Sequence, residues 1–168
     1  EPMAGPVWSY RRRARLGVKW VEKKGRVLVG FRERHSPYLA DLRRCEVLDE
    51  RVGKLLDELA RLVESLSVRE RLPQIEIAGG DSMMALSFRV LTPPDESDLA
   101  RLRAFGERHG LTVYLQSGGP DSVRPLDEAA PPLSYRLPEF DLELEFEPPH
   151  FIQINAAINR RLIARACE

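Results

Sequence analysis

The densest run of groups able to do chemistry is Tyr10-Arg11-Arg12-Arg13-Ala14-Arg15-Leu16. Guanidinium groups along a strand face can bind phosphate oxygens bidentately, and a neighbouring tyrosine can stack on a base or ribose. The same run also suits a solvated edge strand whose charge discourages aggregation. Cys45 stands alone in Arg43-Arg44-Cys45-Glu46. A lone cysteine is commonly a small buried residue, and an iron–sulfur cluster needs several thiolates, for which no second cysteine stands at ligand spacing. His35, His109 and His150 are scattered, with no cysteine or carboxylate at metal-site spacing, so no catalysis is assigned to them. The carboxylates of residues 139–147 alternate along one strand face, the pattern of a wet amphipathic strand before that of an acid–base pair. Phe151-Ile152-Gln153-Ile154-Asn155 sets two amides just ahead of a helical pattern. There they either meet a ligand near the helix N-terminus or, in the case of Asn155, cap the helix.

The elements that must position these groups follow from periodicity. Ala14, Leu16, Val18 and Trp20 alternate with Arg13, Arg15 and Lys19, which predicts a strand with one basic face. Lys23-Lys24-Gly25 supplies a turn, and Val27, Val29 and Phe31 complete a basic hairpin. Apolar residues from Leu48 to Leu66 follow the spacing of one amphipathic helix. Ile75 and Ile77, a Gly79-Gly80-Asp81-Ser82 turn using glycine at positive φ, and Met84 to Val90 predict a second hairpin. Thr92-Pro93-Pro94-Asp95 starts a helix that Gly110 ends as an αL cap, and Leu111, Val113 and Leu115 form the next strand. Residues 117–132 read as a surface loop or an irregular edge hairpin, whose path the composition leaves open. Phe140, Leu142, Leu144 and Phe146 predict a half-buried strand with an acidic outer face, and a last helix begins near Ile158. The expected fold is α+β: a largely antiparallel sheet built from hairpins, with two to three helices packed on one face and the other face available for a ligand.

Composition sets the outer bounds. The 168 residues suffice for one packed domain, so residues 1–168 are taken as a single unit. Lys plus Arg and Asp plus Glu both number 26, but residues 1–35 hold ten basic side chains against three acidic ones, and residues 123–150 hold seven acids against two arginines. Such polarity suggests a basic side for an anionic partner. No window reaches the roughly 18 apolar residues of a membrane span, and no signal peptide is evident, so no membrane association and a cytoplasmic location are expected. The chain begins without methionine, and a helical pattern runs on towards Glu168, as in a piece of a longer protein.

Taken in order and interval, Tyr10 to Leu16, Gly30-Phe31-Arg32, the Cys45 context, Gly110-Leu111-Thr112-Val113-Tyr114-Leu115 and Phe151 to Asn155 resemble the RumA-type 23S ribosomal RNA (uracil-5-)-methyltransferases of bacteria. That resemblance implies three parts: an N-terminal TRAM barrel, a central α+β domain that matches this chain, and a C-terminal Rossmann-like domain that binds S-adenosylmethionine. It further implies that the cysteine nucleophile and glutamate base lie in the C-terminal domain. No catalytic residue is then expected here. Cys45 matches the fourth thiolate of a [4Fe–4S] cluster, Gln153 the glutamine of the cofactor and uridine pocket with Phe151 beside it, and Tyr10, Arg11, Arg12, Arg13 and Arg15 the strand that contacts 23S ribosomal RNA. Gln153 is expected to be a buried amide whose removal strands its partner. Cys167 matches no ligand. S-adenosylmethionine and the cluster belong to the full-length protein, this piece alone being expected to hold neither and to be inactive. The related transfer RNA enzyme and a free-standing RNA-binding module are the alternatives.

Overall fold

A computed structural model describes residues 2–128 and 130–168. The basic alternation becomes β1 (Arg13–Val21), which turns at Glu22–Lys24 and Gly25, in the left-handed region at φ 60°, into β2 (Arg26–Gly30). The sheet continues with β3 (Gln74–Gly79), β4 (Met84–Arg89), β5 (Leu111–Gln116) and β6 (Val123–Pro125), in the order β2-β1-β3-β4-β5-β6. Every neighbouring pair is antiparallel except β4 and β5, which run parallel because a helix connects them. β1 serves two partners, its first half pairing with β3 and its second half with β2, the two ladders meeting at Gly17.

Two helices pack on one face of this sheet, where Leu16, Val18, Ile75, Ile77, Leu86, Phe88 and Val113 are buried together with Leu56, Leu59, Val63, Leu102 and Phe105. The helix expected over 48–66 is broken into α1 (Glu50–Gly53) and α2 (Leu56–Ser65). The cause is a competing hydrogen bond. The Gly53 carbonyl accepts from Cys45 N–H at 2.8 Å, and the Asp57 N–H that would have used it donates to Arg43 O at 3.2 Å. A Cβ on Gly53 would sit 2.4 Å from the Cys45 carbonyl oxygen, so only glycine admits this crossing. α3 (Glu96–His109) follows its sequence signals, with the Asp95 carboxylate capping Asp98 N–H and Gly110 closing it at φ 63°.

Two expectations need correction. Gly79 and Gly80 do not adopt positive φ; glycine is needed at position 80 because a Cβ would lie 2.5 Å from Ser134 O. Of the two alternatives for 117–132 the edge hairpin is present, since β6 pairs antiparallel with β5 at the sheet edge. The acidic strand, β8 (Leu142–Phe146), pairs with β7 (Leu133–Leu137) in a separate two-stranded sheet, and only its Phe146 is buried, Leu142 being 51% exposed. The hairpin docks at its base, where Leu133 and Phe146 meet Ala78, Ala85, Tyr114 and Ile152, and along β7, where Ser134 O accepts from Asp81 N–H at 2.8 Å. α2 and α3 are the helices expected on one face of the sheet, and the last helix, α4 (Ala156–Ala166), is tied to the hairpin by Arg160 Nε donating to Arg136 O at 3.0 Å.

Gly53→Ala should lower stability by about 2 kcal/mol, since the added methyl meets main chain that has no room to move; urea denaturation reads this directly. A second outcome concerns Asp49, which caps α1 and also receives the Arg51 guanidinium at 2.8 Å. Burial opposes its ionisation, but the hydrogen bonds from the Arg51 side chain and backbone N–H prevail and hold the carboxyl below the ordinary aspartate value. A carboxyl depressed in the folded state stabilises above its unfolded pKa, and that contribution disappears as pH falls through the folded one. The melting temperature should therefore drop as pH falls through and below the ordinary aspartate range, and drop less in Asp49→Asn.

Candidate nucleic-acid interface

The arginine strand divides into side chains that hold the protein together and side chains that remain available. Arg11 and Arg12 sit where three segments meet. Arg11 N–H donates to Val47 O at 3.0 Å and its carbonyl accepts from Asp49 N–H at 2.9 Å, while Arg12 N–H donates to Ile154 O at 3.1 Å and its carbonyl accepts from Gly79 N–H at 2.7 Å. The Arg12 side chain is 5% exposed. Its Nε donates to Gln153 O at 3.1 Å, its guanidinium lies 3.7 Å from Asp81 and 4.8 Å from the centre of the Tyr135 ring. Burial pulls this guanidinium below its ordinary pKa, with Asp81 opposing. Arg13 is also committed, donating to the carbonyls of Pro148 (2.8 Å), Pro149 (3.2 Å) and His150. Arg11 lies 5.6 Å from the Phe31 ring centre. Arg12 and Arg13 thus direct their guanidinium groups to partners within the fold. Arg15 remains exposed, paired at 3.0 Å with Glu76, and Tyr10 is half-buried just ahead of β1.

The segment before α4 is held by its backbone and presents its side chains outwards. Ile152 is buried at the hairpin base, and Arg12 grips the carbonyl of Gln153 and, through its main chain, that of Ile154. Phe151 is 80% exposed, and Gln153 is exposed as well. Gln153 is therefore not the buried amide that was expected. Asn155 does cap α4, its Oδ1 accepting from Ile158 N–H at 3.1 Å. Cys45 is half-buried and free, and Cys167 is exposed at the end of α4. Among the described residues no group of three His, Cys, Asp or Glu side chains could hold a metal ion, so Cys45 by itself does not make a cluster site.

The face of the sheet opposite α2 and α3 carries a feature that the sequence reading passed over. Its Ala78, Ala85 and Tyr114 end is covered by the β7–β8 hairpin, but the other end is an open polar cleft of about 320 Å³. Arg89 stands in its floor, directly between Gln74 on β3 and Gln116 on β5 in register, with Ser87 one step along the same face. The signal was present in the alternation of Met84 to Arg89, whose even positions are apolar and whose odd positions include Ser87 and Arg89.

The comparisons with known proteins bear on what this surface belongs to. No family model matches the chain. It is 50% identical over 165 residues to the 23S rRNA (uracil(1939)-C(5))-methyltransferase RlmD of Paracidovorax citrulli, a match covering 98% of this chain and 34% of that protein. It is 51% identical over 165 residues to the RlmD of Aromatoleum aromaticum, covering 98% of this chain and 38% of the relative. The chain is homologous to one segment of these methyltransferases. It spans about a third of the length of the curated relatives it matches. The crystal structure of Pyrococcus abyssi tRNA (uracil-54, C5)-methyltransferase in complex with S-adenosyl-L-homocysteine shares its fold, with a TM-score of 0.68 at 14% identity over 96% of this chain and 41% of that one. No helix among the described residues is long and apolar enough to cross a membrane.

The two ways of holding the 151–154 segment predict opposite stability effects. Arg12→Met should lower stability by about 2 kcal/mol, because the Gln153 carbonyl and Asp81 lose a charge-assisted partner. Gln153→Ala should leave it within about 0.5 kcal/mol, as expected of an exposed side chain. Thermal melting of the two variants beside the parent checks both.

Proposed function

We propose that this chain is the central α+β segment of an S-adenosylmethionine-dependent methyltransferase that methylates C5 of a uridine in 23S ribosomal RNA in the cytoplasm. The observation that carries the reading is half identity to the ribosomal enzymes over 98% of the chain. Only 14% identity relates it to the transfer RNA enzyme, which favours ribosomal over transfer RNA as the substrate. In this reading a TRAM barrel and an S-adenosylmethionine-binding Rossmann-like domain flank the segment in the whole protein, and the nucleophile and base lie in the latter. S-adenosylmethionine supplies the methyl group when bound.

The contribution of this segment is then positional. Arg12 fixes the backbone of Gln153 so that Gln153 and Phe151 stand out as one edge of the cofactor and uridine pocket, completed by the catalytic domain. A side chain that is exposed here and closes against another domain excludes water there without disturbing the fold of its own domain. Cys45, fixed through its N–H to Gly53 O, supplies one thiolate of a [4Fe–4S] cluster whose other three come from elsewhere in the protein. Arg15 and Tyr10 contribute RNA contacts at the start of β1.

The protein encoded by the reading frame that contains this segment should form 5-methyluridine in 23S ribosomal RNA lacking that methyl group. Mass analysis of the digested RNA reads the product, and its absence, with transfer RNA methylated instead or neither methylated, refutes the proposal. Gln153→Ala in that protein should raise KM for RNA or S-adenosylmethionine about tenfold while leaving its melting temperature unchanged.

A further inference from the structure

We propose that the polar cleft on the open half of the sheet, floored by Arg89, is a binding site for a phosphodiester of the RNA strand. The inference rests on the RNA-facing role argued above and gives it a location that the arginine-rich strand does not provide. The cleft is built, not incidental. Its floor is regular sheet, with Gln74, Arg89 and Gln116 in one cross-strand row and Arg15, Glu76 and Ser87 in the next. Pro148 and Pro149 form one rim, held in place by Arg13 donating to both carbonyls. Gly118, Gly119 and Pro120 form the other, and Gln116, itself 7% exposed, braces it by donating to Gly118 O at 3.2 Å.

The charge of this cleft is unbalanced in one direction. Its single carboxylate, Glu76, is already satisfied by Arg15 at 3.0 Å and by the Gln74 amide at 2.8 Å. Arg89 Nε is buried and has no hydrogen-bond partner among the described residues. A guanidinium donor withdrawn from water without an acceptor is unfavourable, and an anion with oxygens in its plane relieves that penalty with paired hydrogen bonds. Phosphate oxygens fit this geometry, and the adjacent Arg15 and Ser87 extend the polar floor along the direction a strand would take. The cleft is open at the surface, so a chain can pass through it with its bases outside. This matches backbone binding that is independent of base identity.

The test uses the 168-residue chain with a single-stranded RNA oligonucleotide of mixed sequence and, separately, inorganic phosphate. Arg89→Met, which keeps the volume of the stem, should weaken RNA binding about tenfold and make the slope of log affinity against log salt shallower by about 0.7, while the melting temperature stays the same or rises. Arg89→Lys, which retains the charge without the planar fork, should fall between parent and Arg89→Met and guards against a folding failure in the latter. Arg61→Met, on the opposite face of the protein, should stay within about twofold of the parent. Equal RNA affinity in the parent and Arg89→Met overturns the proposal, as does no RNA binding by the parent, or a fall in melting temperature for both Arg89 variants that accounts for the lost binding. Inorganic phosphate that raises the melting temperature of the parent, but not of Arg89→Met, while the RNA does not bind would make this a small-anion site and overturn the strand assignment. Because the readout is affinity and not 5-methyluridine, this site and the methyltransferase reading can fail independently.

Discussion

A buried guanidinium organises this structure. Arg12, just ahead of β1, is buried, so its charge must be met by protein. Asp81 from the β3–β4 turn, the Gln153 carbonyl ahead of α4 and the Tyr135 ring of the accessory hairpin meet it together. Asp81 in turn receives Arg160 Nη2 at 2.7 Å and Arg136 N–H at 2.9 Å. Four parts of the chain that share little apolar surface are thereby joined at one point, and the second, smaller core of Ala78, Ala85, Tyr114, Leu133, Phe146 and Ile152 lies around it. The small residues Ala78 and Ala85 let the hairpin come close, and Gly80 lets the turn touch Ser134.

That arrangement gives the two faces of the sheet different work. The α2 and α3 face is a continuous apolar core that supplies stability, in which Asp98, fully buried, ties the end of α2 to α3 by accepting from Ser67 N–H at 2.9 Å and Ser67 Oγ at 2.6 Å. The opposite face is divided. Its covered half fixes the 151–154 segment, and its open half sets Ser87, Arg89, Gln74 and Gln116 beside the exposed Arg15 in an ordered lattice fixed by strand register. Placing polar groups on a sheet instead of on a loop restricts them to a few ångströms of travel, which is what recognition of a charged backbone needs. Arg13 belongs to both halves, since it builds the wall between them.

Homology to a third-length segment of ribosomal RNA methyltransferases and this division of labour are mutually consistent. In the proposed enzyme, a segment flanked by an RNA-binding module and a catalytic module would use one rigid face for substrate and one edge for the pocket. Phe151, Gln153, and the exposed Val7 and Trp8 near the other end of the chain are the surface apolar and amide groups that such an edge would use.

The sequence alone was enough for the strands β1 to β5, for α3 with both its caps, and for the resemblance, because each is written in neighbouring residues: alternation, a capping aspartate, a glycine at positive φ, an ordered set of short motifs. It also singled out Phe151 and Gln153 together, although not that both side chains are exposed. Only the tertiary structure decided which arginines are free. Arg12 and Arg13 differ from Arg15 in nothing local; they differ in the carbonyls of Gln153, Pro148, Pro149 and His150, more than a hundred residues away, that accept from them. The break between α1 and α2 has the same origin, since the Gly53 carbonyl is claimed by Cys45 N–H and periodicity reports apolar faces but not main-chain partners. Arg89 was legible as a polar residue on an alternating strand, yet its meaning depends on Gln74 and Gln116 standing beside it, and strand order is a property of the folded sheet.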